Sequence, residues 1–211
     1  MSIPPKDFMF EFASFLLKSN SLRFGVFTLA SGKQSAYYID LRMLPSFPGY
    51  FRLVVNALKD TVTRKVGEFD IFASVPTSGL VFGSALAYEM NRPFIYARIQ
   101  PKGYGTEKRI EGFLKPGSKV VIVDDVATTG TSVSRTVEIM RANGGIVEDV
   151  VAIVDRHEGA EDKLRKIGVK LSVVAGINEI VNTLYKAGLI DENALESALK
   201  QMLTHGEYEI G

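Results

Sequence analysis

The clearest chemical signal in the sequence is a buried-strand pattern that ends in two acids and a loop of threonine and glycine. It reads VVIVDDVATTGTS, from Val120 to Ser132. Its second half lies where the strand pattern gives way to a helical one, so backbone N–H groups and the positive end of the helix dipole favour an anion. We expect a monophosphate there. The residues of this predicted phosphate loop are Val126, Ala127, Thr128, Thr129, Gly130, Thr131 and Ser132.

The two acids, Asp124 and Asp125, fit a different part of the same ligand. Carboxylates repel phosphate but accept hydrogen bonds from vicinal sugar hydroxyls, as the acidic residue of dinucleotide folds does. The combination therefore predicts a ribose phosphate site. A lone pair of aspartates more often caps a helix or ends a strand in solvent, and neighbours on a strand point to opposite faces. The usual nucleotide loops, GxxxxGK[ST] and GxGxxG, are absent.

The elements that must position these residues alternate along the chain. Short apolar runs rich in Val, Ile and Phe are separated by segments of helical period, which predicts a parallel sheet covered by helices on both faces. Before them come an N-terminal helix that ends near Asn20 and a hairpin over 25–42. We therefore predict a three-layer α/β core with a small N-terminal helix-and-hairpin appendage.

Ligands of such sheets bind at the carboxyl ends of the strands, which draws attention to two further stretches. In VPTSG (75–79), the N–H groups of Thr77, Ser78 and Gly79 could cradle a pyrophosphate, although the stretch is equally a plain turn. The segment 98–118 begins with Arg98 and contains the glycine-rich KGYG. It suits a lid that donates to departing phosphates, or else an ordinary solvated loop.

Composition limits the other classes of function. With 211 residues, 25 Lys+Arg and 24 Asp+Glu, the chain is most simply one domain with no basic field for nucleic acid. It has no cysteine, and its two histidines, His157 and His205, lack the spacing of metal ligands. The uncharged stretch from Ile71 to Tyr88 is interrupted by VPTSG, so we expect a strand, a turn and a helix and no membrane span. The N-terminus shows no secretory signal, and we expect a cytoplasmic protein.

The motif VVIVDDVATTGTS resembles the phosphoribosyl-pyrophosphate motif of the type I phosphoribosyltransferases. Three further stretches resemble parts of the orotate phosphoribosyltransferases. Their N-terminal hood is resembled by FTLASGKQSAYYIDLR (27–42), and their mobile catalytic loop by ARIQPKGYGTEKRIEG (97–112). A strand end of theirs, which bears an arginine for orotate, is resembled by VDRHEG (154–159). The resemblance covers nearly the whole chain. It implies the α/β core of the type I phosphoribosyltransferases as one domain over 1–211, with the hood elements inside 1–44.

The resemblance also implies an activity, the transfer of the 5-phosphoribosyl group from phosphoribosyl pyrophosphate to orotate during pyrimidine synthesis. It implies Mg²⁺, held mainly through substrate phosphates and ribose hydroxyls and not by a protein cage. It further implies a homodimer in which the 98–112 loop closes over the other subunit's site, with no nucleic acid or membrane as partner.

Residue roles follow from the same resemblance. Catalytic roles fall to Arg98, Lys102 and Asp125. Contacts with phosphoribosyl pyrophosphate fall to Arg98, Lys102, Tyr104, Thr77, Ser78, Gly79 and every residue from Asp124 to Ser132. Contacts with orotate fall to Thr128, Arg156, Tyr37 and Tyr38. Taken alone, Arg156 fits a surface ion pair with Asp155 or Glu158 better, and the resemblance reverses this preference. One of the two tyrosines should pack inward.

Two alternatives stay open at this point. Another type I phosphoribosyltransferase, such as one for purines, would share the motif but lack the hood. A non-catalytic sensor of phosphoribosyl pyrophosphate would keep the motif and lose loop cations. Ala30 and Ile99 stand where many family members are basic. We expect an active enzyme, either with altered kinetics or with Lys33 or Lys108 supplying charge to the loop instead.

Overall fold

The computed structural model describes residues 8–28, 32, 34–98 and 109–206. Its helices are α1 (Phe8–Lys18), α2 (Pro48–Lys65), α3 (Ser78–Glu89), α4 (Thr131–Ala142), α5 (Ala160–Lys166), α6 (Ile177–Lys186) and α7 (Glu192–Gly206). Its strands are β1 (Leu22–Thr28), β2 (Gln34–Ile39), β3 (Ile71–Ser74), β4 (Phe94–Ala97), β5 (Ile110–Glu111), β6 (Lys119–Ala127), β7 (Ile146–Asp155) and β8 (Lys170–Gly176). A short 3-10 helix, Leu44–Ser46, leads into α2.

The main sheet has the strand order β5-β4-β3-β6-β7-β8. Strands β3, β4, β6, β7 and β8 are parallel, as the sequence predicted. The two-residue strand β5 pairs antiparallel with β4 at one edge, inside a stretch that we predicted to be loop. Because the parallel strands share one direction, the segments that follow β3, β4, β6 and β7 all leave the sheet at the same edge.

The apolar run of β6 is buried on both faces of the sheet. Val121 and Val123 belong to the core beneath α2 and α3, whereas Val120 and Ile122 belong to the core beneath α4. This division follows from the alternation of side chains along a strand. It explains why β6 is a continuous run of β-branched residues, and it confirms the three-layer arrangement.

The N-terminal helix and hairpin are present as predicted, and the C-terminal helices join them. Strands β1 and β2 form a separate antiparallel ribbon. Helix α1 packs on α6, and α7 packs on β2. Phe12 and Leu16 of α1 are fully buried in the same apolar cluster as Ile180 of α6. The first and last described helices therefore pack together with α6 and the hairpin.

The uncharged stretch from Ile71 to Tyr88 folds as β3, a turn and most of α3. This agrees with the strand, turn and helix that the sequence predicted. Across the parts of the chain that the structure describes, none of the helices combines the length and apolar character that crossing a bilayer requires.

Candidate functional site

A polar cleft opens at the carboxyl edge of the sheet, between the ends of β3 and β6. Its volume is about 210 Å³. The predicted phosphate loop and both aspartates contribute to it, together with three residues of the VPTSG turn. The lining residues are Val75, Pro76, Ser78, Asp124, Asp125, Val126, Thr128, Thr129, Gly130, Thr131, Ser132 and Val133.

The phosphate loop takes its shape from Gly130, which caps α4 with a φ of 73°. A side chain there would be strained in this left-handed region, and a Cβ would lie 3.1 Å from the Cα of Ala160. The loop also carries the hydroxyls of Thr129 and Thr131, whose Oγ1 atoms lie within hydrogen-bond distance of each other at 3.1 Å. The backbone N–H of Ala160 donates to the carbonyl of Thr128, which joins the loop to α5. Gly130 and the contact with α5 therefore fix the shape of the loop.

The two aspartates differ in environment. Asp124 is 6% exposed, and its Oδ1 accepts the backbone N–H of Asp125 at 2.9 Å. Burial, reinforced by the charge of Asp125, raises the pKa of Asp124 well above its usual range. Asp125 is only half-buried. The half-buried carboxylate is the more accessible acceptor for sugar hydroxyls, and the buried one favours neutralisation by a ligand or proton.

The VPTSG turn approaches the aspartates through a glycine. A Cβ on Gly79 would lie 3.0 Å from the Oδ1 of Asp124 and 3.0 Å from the carbonyl oxygen of Val123. Of the three residues predicted to hold pyrophosphate, Ser78 lines the cleft, Thr77 is exposed and Gly79 is buried at the start of α3. The peptide bond between Pro76 and Thr77 is cis. Gly79 thus permits the close packing that places Ser78 beside the aspartates.

A cation that the sequence did not single out lies beside the phosphate loop. Lys163 of α5 donates from its ammonium to the Oγ1 of Thr131 at 2.8 Å. In the sequence, Lys163 is one of several charges in a short polar helix, and nothing in its spacing distinguishes it. Only the folding of α5 against the loop brings it to the cleft.

Arg156, predicted to hold orotate, lies in a buried polar network. Only 5% of its side chain is exposed, and its Nη2 lies 2.7 Å from the Oε1 of Glu158, to which its Nε also donates at 2.9 Å. Its Nη2 also donates to the hydroxyl of Ser35 at 3.1 Å, on hood strand β2. The ion pair with Glu158 that we considered for Arg156 is present, but both side chains are buried. The predicted surface location is therefore wrong. Asp155 pairs instead with His157, whose Nδ1 lies 3.0 Å from the Oδ2 of Asp155.

The two hood tyrosines face opposite ways, as expected for neighbours on a strand. Tyr37 is fully buried, and the guanidinium carbon of Arg156 lies 4.4 Å from the centre of its ring. Burial raises the pKa of the Tyr37 hydroxyl. Tyr38 is half-buried on the other face, where its ring meets Phe27 and the guanidinium of Arg23. Tyr37 therefore fixes Arg156, and Tyr38 is the more accessible of the pair.

The ends of the predicted catalytic loop meet at the base of the β4–β5 pair. The N–H of Arg98 donates to the carbonyl of Arg109 at 2.7 Å, and the Arg98 side chain forms an ion pair with Glu111. Arg98 follows β4, two strands away from β6 at the same edge of the sheet. The remaining predictions for this loop and the hood turn lie outside the described residues: Ala30, Lys33, Ile99, Lys102, Tyr104 and Lys108.

Comparisons with known proteins agree with this geometry. The phosphoribosyl transferase domain family matches residues 48–183. The orotate phosphoribosyltransferase of Cenarchaeum symbiosum is 47% identical over 185 residues, which cover 87% of this chain and 92% of that relative. The crystal structure of orotate phosphoribosyltransferase from Aeropyrum pernix matches with a TM-score of 0.74 and 35% identity, over 85% of this chain and 99% of that one.

A longer protein contains the same fold. The structure of UMP synthase from Leishmania donovani matches with a TM-score of 0.84 and 34% identity. The match covers 95% of this chain and 43% of that protein, so this chain spans less than half of its length. From the family match, the archaeal relatives and the shared fold, we conclude that the chain belongs to the phosphoribosyl transferase family and, within it, to the orotate phosphoribosyltransferases.

Proposed function

We propose that the chain transfers the 5-phosphoribosyl group of phosphoribosyl pyrophosphate to a ring nitrogen of orotate, giving orotidine monophosphate and pyrophosphate. The observation that carries the proposal is a single cleft that combines a glycine-capped helix start with two carboxylates. The phosphate loop and the aspartates line this cleft together. Such a pair of features suits one ligand that carries a phosphate at one end and ribose hydroxyls at the other.

The phosphate loop would hold the 5-phosphate. Backbone N–H groups at the start of α4 and the hydroxyls of Thr128, Thr129, Thr131 and Ser132 are its donors. The cleft also needs positive charge, because the two aspartates make it unfavourable for a phosphate dianion. Lys163, bonded to Thr131, supplies that charge. Asp124 and Asp125 would then accept hydrogen bonds from the ribose hydroxyls.

The reaction breaks the bond from the anomeric carbon to a pyrophosphate oxygen while a bond to the orotate nitrogen forms. The bonding electrons leave with pyrophosphate, so negative charge grows there and positive charge grows on the sugar. Donors aimed at the departing group lower the barrier. Thr77, Ser78 and Gly79 would hold the pyrophosphate, and Arg98, Lys102 and Tyr104 would complete its cover when the 98–112 loop closes. The carboxylate of Asp125 would stabilise the positive charge that develops on the sugar.

Orotate would lie between the phosphate loop and the hood. It is flat, anionic and rich in carbonyl groups, which suits a guanidinium that donates along a plane. Contacts among the described residues occupy Nε and Nη2 of Arg156, and Nη1 would meet the base. Thr128 and Tyr38 would complete the pocket, with Tyr37 behind the arginine.

Mg²⁺ fits the oxygen donors of this cleft. It prefers carboxylate, phosphate and hydroxyl oxygens and keeps several waters. Among the described residues, no group of three or more acidic, histidine or cysteine side chains forms a metal cage. Asp124 and Asp125 would hold the ion together with substrate oxygens, and the ion would neutralise charge on the pyrophosphate. We further propose a homodimer, in which the 98–112 loop of one subunit closes over the other's cleft.

The test is an assay of orotate consumption. Orotate absorbance should fall on addition of the protein, Mg²⁺ and phosphoribosyl pyrophosphate, and pyrophosphate should appear in equal amount. Uracil and adenine serve as competing bases in parallel reactions. Turnover with one of these and not with orotate would reassign the base. Binding of phosphoribosyl pyrophosphate without turnover of any base would favour a sensor.

A further inference from the structure

The C-terminal helix carries a buried amide beside the arginine that we assign to orotate. Gln201 of α7 is 9% exposed. Its Nε2 donates to the Oε1 of Glu158 at 2.9 Å and contacts the hydroxyl of Ser35 at 3.0 Å. Its Oε1 accepts the backbone N–H of Ala36 at 2.7 Å. One side chain therefore joins three separate parts of the chain: the hood strand β2, the segment after β7, and α7.

The same two side chains that Gln201 holds also hold Arg156. Glu158 accepts from Arg156 through the same Oε1 that accepts from Gln201. Ser35 accepts from the Nη2 of Arg156 at 3.1 Å. With Tyr37 stacked on its face, the guanidinium is fixed by three neighbours, two of which depend on Gln201. Buried networks of this kind are rigid only when each member has its partners.

We propose that Gln201 is a positioning residue for base recognition, which acts through Glu158 and Ser35 on the orientation of Arg156. This inference rests on the proposed function, since it takes Arg156 as the residue that meets orotate. It makes the C-terminal helix part of the specificity of the site, although none of the α7 side chains that the structure describes lines the cleft for the sugar phosphate. A purely structural role, in which Gln201 only fastens α7, predicts a change in stability without a change in recognition.

The experiment compares Gln201→Leu with Ala198→Gly. Leucine keeps the approximate volume and removes every hydrogen bond of the amide. Ala198 is fully buried on the same helix, so glycine there loosens α7 through its low helix propensity without touching the network. We expect Gln201→Leu to raise the KM for orotate about tenfold, the effect of one weakened charge-assisted hydrogen bond, with less than twofold change in the KM for phosphoribosyl pyrophosphate. Ala198→Gly should lower the melting temperature and leave the KM for orotate unchanged.

A double-mutant cycle tests whether the effect passes through the arginine. Arg156→Lys keeps a positive charge beside Glu158 but loses the planar guanidinium. If Gln201 acts through Arg156, Gln201→Leu should raise the KM for orotate much less in the Arg156→Lys background than in the wild type. Equal effects in both backgrounds would overturn the proposal, as would an equal rise in the KM for orotate in Ala198→Gly.

A second variant covers the case in which Gln201→Leu does not fold. Gln201→Glu keeps the oxygen that accepts from Ala36 but places a carboxylate against Glu158, so the KM for orotate should rise and recover as the pH falls. An unchanged KM for orotate in whichever variant folds refutes the inference and leaves the proposed function intact. Absence of turnover by the wild type refutes the proposed function itself.

Discussion

Replacement of Gly130 by alanine tests the link between the shape of the phosphate loop and phosphate binding. At a φ of 73°, a left-handed backbone costs an alanine about 1–2 kcal/mol. The smaller entropy of the unfolded chain offsets about 0.4–1 kcal/mol of this. The added Cβ would lie 3.1 Å from the backbone of Ala160, so α5 or the loop must also shift. We therefore expect a loss of about 1 kcal/mol or more in the free energy of unfolding.

The consequence for binding should exceed the consequence for stability. A shift that weakens one hydrogen bond from the loop to a phosphate dianion costs about 1.5–3 kcal/mol, which corresponds to about 10- to 100-fold in the Kd. We expect this loss for ribose 5-phosphate in titration calorimetry, and a similar rise in the KM for phosphoribosyl pyrophosphate. Pyrophosphate alone should lose much less affinity, because it would bind at the VPTSG turn.

A matched control lies at the other end of the same helix. Gly144 follows α4 with a φ of 87°, and a Cβ there would lie 3.3 Å from the Cα of Pro116. Gly144→Ala should therefore cost comparable stability in a urea titration and leave the affinity for ribose 5-phosphate unchanged. The reasoning fails if Gly130→Ala binds ribose 5-phosphate as tightly as the wild type, or if Gly144→Ala loses the same affinity.

Three further variants probe the other parts of the site. Lys102→Ala should lower kcat by about 100-fold or more and change the Kd for phosphoribosyl pyrophosphate only slightly, because the charge of Lys102 matters as pyrophosphate departs. Full activity of this variant would show that Lys102 does not stabilise the departing pyrophosphate. Asp124→Asn should weaken binding of phosphoribosyl pyrophosphate while raising the free energy of unfolding. The pKa of Asp124 is raised in the folded state. The stabilising contribution of Asp124 is therefore complete below the ordinary aspartate pKa and is lost as the pH rises through the folded value. The gain in the free energy of unfolding from asparagine should accordingly grow with pH in urea titrations. A stability difference that does not change with pH would contradict this. Lys163→Ala should raise the KM for phosphoribosyl pyrophosphate about 10-fold, with partial rescue by arginine, whereas alanine at the exposed Lys186 of α6 should have no effect; equal effects of the two lysines would place Lys163 outside the site.

Most of the α/β core could be predicted from local patterns. The apolar run of β6 and the helical period of α4 predict both elements and their place beside each other, because both patterns are long and strongly periodic. Strand β5 could not be predicted, because two residues are too short to show an alternation and pair only through β4. The association of α6 and α7 with the hood depends on contacts between the two ends of the chain, which no local pattern encodes.

The residues of the site likewise divide into those that local sequence patterns predict and those that only tertiary contacts bring there. Most of the cleft lining, Asp124, Asp125 and the phosphate loop, is contiguous in sequence, so the chemistry of this part could be recognised from spacing alone. Lys163 and Gln201 enter the account only through tertiary contacts. Arg156 lies between the two cases: its type and position at a strand end were informative, but its burial against Glu158 depends on the hood and α7 packing over it.

The most direct test of the central claim is the initial rate of orotate loss with wild-type protein, Mg²⁺ and phosphoribosyl pyrophosphate. We predict orotidine monophosphate and pyrophosphate in equal amounts, with loss of the activity when Mg²⁺ is chelated and no comparable turnover of uracil or adenine. Turnover of one of those bases in place of orotate, or tight binding of phosphoribosyl pyrophosphate without turnover of any base, would contradict it.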